Sequence, residues 1–354
     1  MPHVIVIGAG IAGLTAAYRA VNAGHHVTVL EAASTAGGAI APATFKLPEG
    51  PLTVDAGAEA YASRSTQMTQ LLDELGLANQ TVTPNPDGSW LYLPQTGAVP
   101  APKLGMWGIP GDPTAAEVVQ ALGTQAAGRA AADLTTPMTT WAQRRAQGQP
   151  ITVGELVADR FGPVALERLV APVVAGVHSA DPHELDIDKI APGLLDKAIQ
   201  RDSVARAVTD MRAAAPPGAA VKTLPGGMHR LIEALLDALS DRAEIRFETR
   251  VTALDPATRT VTTQTGQRLS ANQVILAVDA PSAYDLLSSS TQLTQRPTYG
   301  TGVAIVLLIV DAPGLDVHPR GTGMLVSPAV TDVRAKAATH VTAKWQWAAQ
   351  AATS

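Results

Sequence analysis

Three glycines near the N-terminus, Gly8, Gly10 and Gly13, have the spacing Gly-x-Gly-x-x-Gly. In turns that bind dinucleotides, the first glycine permits the tight turn and the second lets the backbone approach a pyrophosphate. The third allows close packing of helix on strand, and the helix N-terminus favours the phosphate charge. Glu31 lies eighteen positions after Gly13, where a carboxylate accepts hydrogen bonds from ribose hydroxyls. The pattern predicts a site for the adenosine half of a dinucleotide.

These residues need a strand, a helix and a second strand to hold them in place. Val4–Ile7 is a continuous apolar run, typical of a parallel strand buried on both faces. A helical stretch over Leu14–Ala23 follows and is closed by Gly24. His26–Leu30 then has the character of a second strand. The sequence thus predicts a βαβ unit of about thirty residues, which is the usual length of this motif.

Beyond this unit, the apolar pattern predicts a helical region and then a second mixed one. Helices dominate between Thr114 and Arg212, and Pro216-Pro217-Gly218 interrupts the chain as a linker. This order predicts an α/β domain interrupted by another domain. The segments predicted individually are helices at Ser65–Leu75, Val153–Phe161, Val164–Val174, Leu194–Val208 and His229–Leu239, and strands at Ile245–Phe247, Val261–Thr263 and Val274–Val278.

Composition excludes several classes of protein. With 46% hydrophobic and 16% charged residues the chain is globular, and its net charge of −5 gives no general attraction to nucleic acid. The absence of cysteine excludes disulfides, thiolate metal sites and cysteine nucleophiles. The longest apolar run, Val303–Val310, is too short to span a membrane and predicts a buried strand. The apolar start is not a secretory signal, so we expect a cytoplasmic location, with peripheral membrane contact left open.

A second group of glycine motifs favours FAD over NAD. Leu30-Glu31-Ala32 followed by Gly37-Gly38 resembles the extended motif of the FAD-dependent amine oxidase superfamily. The resemblance continues at 54–60, Val-Asp-Ala-Gly-Ala-Glu-Ala, a segment that passes beside the flavin in that superfamily. Two departures concern Thr35 and Ala39, which stand where the superfamily usually has basic residues next to the pyrophosphate. Their absence removes favourable charge at the phosphates.

A narrower resemblance begins in the helical region. Residues 172–182, Pro-Val-Val-Ala-Gly-Val-His-Ser-Ala-Asp-Pro, are similar to a segment of the protoporphyrinogen and coproporphyrinogen oxidases, in which an aromatic residue usually stands at the place of His178. Residues 224–228, Leu-Pro-Gly-Gly-Met, and Lys344-Trp345 also fit that group. Amine-oxidising relatives have a lysine in the strand that corresponds to Thr301–Val310, and this chain has none there.

The resemblance implies FAD-dependent oxidation of a porphyrinogen, coproporphyrinogen III or protoporphyrinogen IX, to the porphyrin in heme biosynthesis, with oxygen as acceptor. It implies an α/β fold with a discontinuous Rossmann-like FAD-binding domain (1–83 and 221–290), a helical insertion (110–220) and a substrate-binding sheet (84–109 and 291–354). By the same resemblance, Val251 is expected beside the adenine and Trp345 near the flavin. The residues implied to contact FAD are Gly8, Ala9, Gly10, Ile11, Ala12, Gly13, Glu31, Ala32, Gly38, Ala39, Gly57, Ala58, Glu59, Ala60, Val251 and Trp345.

The resemblance also implies a glycine-rich strand-to-helix segment over the flavin ring, and none occurs before Ser354. We therefore expect residues 1–354 to bind FAD weakly and to oxidise porphyrinogen poorly. Two alternatives stay open: a related FAD enzyme that oxidises amines or polyenes, and a remnant that binds nucleotide without catalysis. No catalytic residue is predicted, nor any oligomeric state.

Several other polar and aromatic residues have simpler interpretations. His25-His26 is expected in a solvated turn, and Arg144-Arg145 on a solvated helix face, with substrate carboxylates as the alternative partner of the arginines. His178, Asp181 and His183 lack the fixed helical spacing of metal ligands, so no metal site is predicted. The side chains that could line a tetrapyrrole pocket, or simply pack in a core, are Trp90, Tyr92, Met106 and Trp107.

Overall fold

The computed structural model of the protein describes residues 1–48, 50–214, 220–288, 291 and 293–353. The predicted linker at Pro216-Pro217-Gly218 lies outside the described residues. The chain divides into two compact units. Unit 1 comprises Met1–Thr83, Ala219–Ile309 and Gln350–Ser354, and unit 2 comprises Pro84–Gly218 and Val310–Ala349. In the part of the chain that the structure describes, no helix is long and apolar enough to cross a membrane.

The strands are short. In chain order they are β1 (His3–Ile7), β2 (His26–Leu30), β3 (Pro42–Leu47), β4 (Gly50–Asp55), β5 (Tyr61–Ala62), β6 (Trp90–Leu93), β7 (Gly97–Pro100), β8 (Gly105–Met106), β9 (Ile109–Pro110), β10 (Val221–Lys222), β11 (Ala243–Arg246), β12 (Val251–Asp255), β13 (Thr260–Thr263), β14 (Arg268–Ser270), β15 (Gln273–Leu276), β16 (Gly323–Val326) and β17 (Ala337–Thr339).

The helices are longest in unit 1 and most numerous in unit 2. In chain order they are α1 (Ile11–Asn22), α2 (Thr66–Glu74), α3 (Ala116–Leu122), α4 (Thr124–Ala131), α5 (Thr139–Ala146), α6 (Val153–Phe161), α7 (Pro163–Ala165), α8 (Ala171–His178), α9 (Ile187–Ile190), α10 (Leu194–Arg201), α11 (Val204–Ala214), α12 (His229–Leu239), α13 (Ala280–Leu287), α14 (Val341–Lys344) and α15 (Gln346–Thr353). A π-helical turn, Leu166–Val170, joins α7 to α8.

Unit 1 is built on a four-stranded parallel sheet in the order β11-β2-β1-β15. Its central strand β1 pairs with β2 on one side and with β15 on the other. Side chains of β1 are buried on both faces, which is why this strand is apolar without alternation. One face packs against α1 and α12, and the other against α13 and the antiparallel sheet β12-β13-β14. The result is a layered α/β unit, as the sequence predicts.

Unit 2 combines a helical core with a four-stranded sheet in the order β17-β16-β6-β7. Side chains from β6, β7 and most of the helices between 116 and 208 share one apolar core. A buried ion pair lies within this unit: Arg160 Nε donates to Asp133 Oδ1 at 2.7 Å, and both side chains are at most 2% exposed. Ser203 Oγ donates to the other oxygen of Asp133 at 2.6 Å. The charges are therefore paired and hydrogen-bonded, as burial requires.

Most predicted segments coincide with elements of the structure, and α6 and α12 begin and end at the predicted residues. The predicted helix over Leu194–Val208 is wrong, because Asp202 has a left-handed backbone with φ of 54° and ends α10. Ser203 then caps α11 by accepting a hydrogen bond from the amide of Arg206 at 3.2 Å. A capping pair thus divides one predicted helix into two.

The predicted buried strand over Val303–Val310 is also wrong. These residues form no helix or strand in the structure, and Val306 and Leu308 are 75% and 77% exposed. A strand is stable only where neighbouring strands satisfy its amides and carbonyls. Among the described strands none pairs with this segment. Apolar composition alone therefore gave a misleading prediction.

Candidate functional site

The glycine-rich turn joins β1 to α1 in unit 1. Gly8 has a φ of 103°, a conformation that side chains other than hydrogen disfavour. A Cβ placed on Gly13 would lie 1.8 Å from the carbonyl oxygen of Gly8, so α1 can approach β1 only without a side chain there. The protein's own packing therefore requires glycine at both positions, as the motif predicts.

Gly10 differs from its two neighbours in the motif. Its φ of −70° and ψ of 176° suit any residue, and a Cβ placed there would approach only the Cα of Gly38, at 4.0 Å. No contact among the described residues requires glycine at this position. The space that a side chain would fill lies at the start of α1, where no side chain caps the helix within the described part of the chain. This is the space that a pyrophosphate needs, and the turn fits a dinucleotide.

The second glycine pair lies directly against this turn. The amide of Gly37 donates to the carbonyl of Ala9 at 2.9 Å. A Cβ on Gly38 would lie 3.3 Å from the Cα of Gly10, and Gly38 has a φ of 60°. Residues 37 and 38 therefore border the space in front of Gly10. The structure brings the two glycine motifs together, although nearly thirty positions separate them in the sequence.

Glu31 directs its carboxylate toward the turn. Its Oε2 accepts a hydrogen bond from the amide of Ala9 at 2.6 Å, and its Oε1 accepts one from Ala33 at 2.7 Å. The backbone of Glu31 accepts a further bond from the amide of Thr249 at 2.7 Å. Val251, at the start of β12, lies two residues beyond Thr249. The backbone of Glu31 is thus joined to the β11–β12 connection, while its carboxylate bonds to the amides of Ala9 and Ala33. Ala32 is exposed.

The predicted residues at 39 and 57–60 form a second strip in unit 1. The amide of Ala58 donates to the carbonyl of Ala39 at 2.8 Å, because the β3–β4 hairpin brings the two segments side by side. The carbonyl of Glu59 accepts a bond from Thr223 Oγ1 at 2.7 Å. Burial raises the pKa of the nearby Tyr61 hydroxyl, an effect that a hydrogen bond with Thr81 opposes. Ala39 itself is exposed, so a longer side chain has room there.

Sequence reasoning missed Asp55 as a residue that organises the site. Its carboxylate accepts bonds from the amides of Met228 at 2.7 Å and His229 at 3.2 Å, and the Nδ1 of His229 lies 3.3 Å from it. The Asp55 side chain is only 3% exposed. The carboxylate thereby satisfies the first amides of α12, a capping role. The signal was present in the sequence, since Asp55 lies inside the quoted 54–60 motif and Met228 directly follows Gly226-Gly227.

Trp345, the last predicted contact, belongs to unit 2. It is 1% exposed, and Lys344 Nζ lies 5.2 Å from the centre of its ring. The amide of Asn85 donates to the carbonyl of Lys344 at 2.8 Å, which ties this segment to the chain before β6. The predicted place of Trp345 beside the flavin stays a prediction.

The arginine pair Arg144-Arg145 forms ion pairs on the surface. Arg145 Nε lies 2.9 Å from Asp196 and its Nη1 2.5 Å from Asp188. These two carboxylates hold the pKa of Arg145 above its ordinary value. Arg144 pairs with Glu155 at 3.3 Å. Both arginines thus have carboxylate partners within the protein.

The remaining aromatic and histidine candidates lie in ordinary packing contacts. His26 is exposed, and its ring centre lies 4.8 Å from that of His3. Met106 and Trp107 pack partly against the core of unit 2, and Arg320 lies over the Trp90 ring at 5.0 Å.

Unit 1 therefore has the fold and the turn of a dinucleotide-binding flavoprotein. The family model described as flavin containing amine oxidoreductase matches residues 11–332. The chain belongs to this family, and FAD is its cofactor. The second glycine pair and the open space at Gly10 agree with that assignment.

Within this family, the chain is similar to several individual proteins. The chain is 32% identical over 348 residues to coproporphyrinogen III oxidase of Mycobacterium tuberculosis, covering 96% of this chain and 73% of that protein. It is 26% identical to coproporphyrinogen III oxidase of Staphylococcus aureus, covering 97% and 74%. A solved structure from Exiguobacterium sp. 255-15, provisionally named a protoporphyrinogen oxidase, is 24% identical and superposes with a TM-score of 0.75, covering 98% and 74%. The last similarity shows the fold.

Proposed function

We propose that this protein uses FAD to oxidise a porphyrinogen, coproporphyrinogen III or protoporphyrinogen IX, to the corresponding porphyrin in heme biosynthesis. The observation that carries the proposal is the 32% identity, over 96% of the chain, to a coproporphyrinogen III oxidase. The open space at Gly10 adds support, because it provides for the cofactor that such an oxidation needs. Coproporphyrinogen III is the favoured substrate, since the M. tuberculosis and S. aureus relatives carry that name.

Unit 1 would hold the cofactor. The amides at the start of α1 would donate to the pyrophosphate, and Gly10 and Gly38 would leave room for it. Glu31 would accept hydrogen bonds from the ribose, and the backbone at Val251 would contact the adenine. The strip at 57–60 would follow the cofactor toward the flavin. Bound FAD would supply the oxidation in two-electron steps, three of which remove the six hydrogens that separate porphyrinogen from porphyrin, and the protein orients the macrocycle against it.

Unit 2 would contribute the substrate-binding sheet and the helical insertion. We propose oxygen as the acceptor that reoxidises the flavin, and a cytoplasmic site of action. We assign no catalytic side chain. The lysine that amine-oxidising relatives carry is absent from Thr301–Val310, which favours porphyrinogen over amine as substrate.

The test compares two substrate classes, porphyrinogens and amines. Protein reconstituted with FAD is mixed under air with anaerobically prepared coproporphyrinogen III or protoporphyrinogen IX, and porphyrin fluorescence is followed against a protein-free control. We expect porphyrin to form faster with protein. In a separate anaerobic experiment, benzylamine and putrescine should leave the flavin absorbance unchanged. Bleaching by either amine, without porphyrin formation in the first assay, would replace the proposal with amine oxidation.

A further inference from the structure

A two-residue turn joins β8 to β9 in unit 2 and contains a tryptophan where short hairpins seldom have one. Met106 pairs with Ile109, so Trp107 and Gly108 form the turn. Their φ values are 54° and 80°. This is the combination of a type I′ turn, for which Asn-Gly is a preferred pair. Trp107 thus adopts a backbone conformation that bulky residues disfavour, and the turn itself gives no reason for its presence.

The backbone of this turn is fixed by the helical segment packed against it. A Cβ placed on Gly108 would lie 2.1 Å from the carbonyl oxygen of Leu169, so the two backbones are in direct contact. Leu169 belongs to the π-helical turn Leu166–Val170. Wide turns of this kind are rare and often occur at functional sites. The contact fixes the backbone from which the Trp107 indole extends.

The indole meets a second ring at the end of α8. The ring centres of Trp107 and His178 lie 4.9 Å apart, with their planes tilted by 45°. His178 is exposed, and the adjoining Val177 is 57% exposed. Gly176, by contrast, packs against β16, because a Cβ there would lie 2.7 Å from Leu325 Cδ2. Helix α8 therefore packs through Gly176 and leaves Val177 and His178 accessible.

We propose that Trp107, Val177 and His178, named here the Trp107 face, bind one flat side of the tetrapyrrole macrocycle. The inference rests on the proposed function, whose oxidised product, the porphyrin, is a large flat ring system. Two aromatic rings and a branched apolar side chain offer the stacking and apolar area that such a ring system needs. The resemblance to porphyrinogen oxidases places an aromatic side chain at the position of His178. The imidazole keeps a flat ring at that position.

The test measures binding of coproporphyrin III, the oxidised product, because product binding needs no turnover and no flavin. The full chain is titrated into coproporphyrin III, and the shift of the porphyrin absorption band gives the Kd. Trp107→Asn removes the indole while giving the turn its preferred Asn-Gly pair. We expect this variant to bind about tenfold more weakly, whereas Trp107→Phe and His178→Tyr, which keep a flat ring, should stay close to wild type. The control Val317→Asn removes another exposed apolar side chain of unit 2, which is 80% exposed, and should leave the Kd unchanged.

Urea unfolding of each variant separates binding from packing. We expect the urea midpoint of Trp107→Asn to stay close to that of the wild type, because the preferred Asn-Gly turn offsets the packing that is lost with the indole. Unchanged porphyrin binding by Trp107→Asn would overturn the inference. Weaker binding together with a lower urea midpoint would also overturn it, because the loss of binding would then be explained by the loss of stability. A wild-type protein that neither binds coproporphyrin III nor oxidises coproporphyrinogen III would instead overturn the proposed function, and the inference with it.

Discussion

The carboxylate of Asp55 and the backbone amide of Met228, 173 positions apart in sequence, are joined by a 2.7 Å hydrogen bond. The bond connects the end of β4 with the start of α12. These belong to two separate stretches of chain that together form unit 1. Because the side chain of Asp55 is almost fully buried, its partners have no access to water as a substitute.

Replacing Asp55 with alanine should therefore destabilise unit 1. Two amides, those of Met228 and His229, would lose their acceptor, at a cost of roughly 1–3 kcal/mol for an unsatisfied buried group. Urea unfolding of the protein without FAD measures the change. The control is Asp73→Ala, which removes an exposed carboxylate of α2. Equal urea midpoints for the two variants would show that the Asp55 contacts contribute nothing.

Substitutions at two glycines of the turn should affect FAD binding and protein stability separately. Gly10→Val places its side chain in the space in front of α1, so we expect FAD binding to be lost while the FAD-free protein unfolds like the wild type. Gly13→Ala, the matched control, should lower the stability of the FAD-free protein, because its Cβ would overlap the carbonyl of Gly8. Flavin fluorescence titration and thermal unfolding report the two effects. Normal FAD affinity in Gly10→Val would remove the turn from the site.

Glu31→Ala should weaken FAD binding by roughly 1–3 kcal/mol through lost charge-assisted hydrogen bonds. Glu31→Gln keeps an acceptor oxygen and should show a smaller loss. The Kd for FAD is compared with thermal stability, because Glu31 also accepts bonds from the amides of Ala9 and Ala33. A Kd equal to the wild-type value in Glu31→Ala would exclude the ribose contact.

Restoring a basic residue beside the predicted pyrophosphate should strengthen FAD binding. Ala39 is exposed and stands where the FAD-dependent amine oxidase superfamily usually has a basic side chain. We expect Ala39→Arg to strengthen FAD binding by about 1 kcal/mol, the net value of a typical hydrogen bond, and so to lower the Kd for FAD. The control Ala257→Arg adds the same charge in the exposed β12–β13 turn. Similar gains in both variants would indicate a general charge effect.

His340 should make unit 2 sensitive to acid. Burial lowers its pKa below the ordinary 6.5, His318 lowers it further, and Asp316 opposes the shift. A histidine with a lowered folded pKa binds more protons when unfolded, so the stability it contributes is present above pH 6.5 and is lost on acidification. Urea midpoints measured above and below that pH should fall less in His340→Asn than in the wild type. His183→Asn, at an exposed position, should retain the wild-type slope.

Elements that depend on local pattern were predictable. Helix α6 spans Val153–Phe161 as predicted, because apolar spacing and a capping pair, Thr152 and Glu155, lie within ten residues of chain. Strands β1 and β2 were predictable because each is a short, continuous run of mostly apolar residues. The failures at Val303–Val310 and at Asp202 share a cause, because both depend on partners distant in sequence. No strand among the described residues pairs with Val303–Val310. The amide of Met138 bonds to Asp202 Oδ1 at 2.6 Å, where the predicted helix ends.

The sequence by itself determined the nucleotide-binding unit, since glycine spacing and the position of Glu31 encode backbone preferences that act over a few residues. Its motifs also determined the family. Only the tertiary structure shows why each glycine is needed. Protein atoms fill the space that a Cβ on Gly13 would occupy, and they leave the corresponding space at Gly10 open. The tertiary structure also brought Gly37 to Ala9, Asp55 to α12 and His178 to Trp107. These contacts join residues far apart in sequence, and no local pattern specifies which distant groups will meet once the chain has buried its apolar surface.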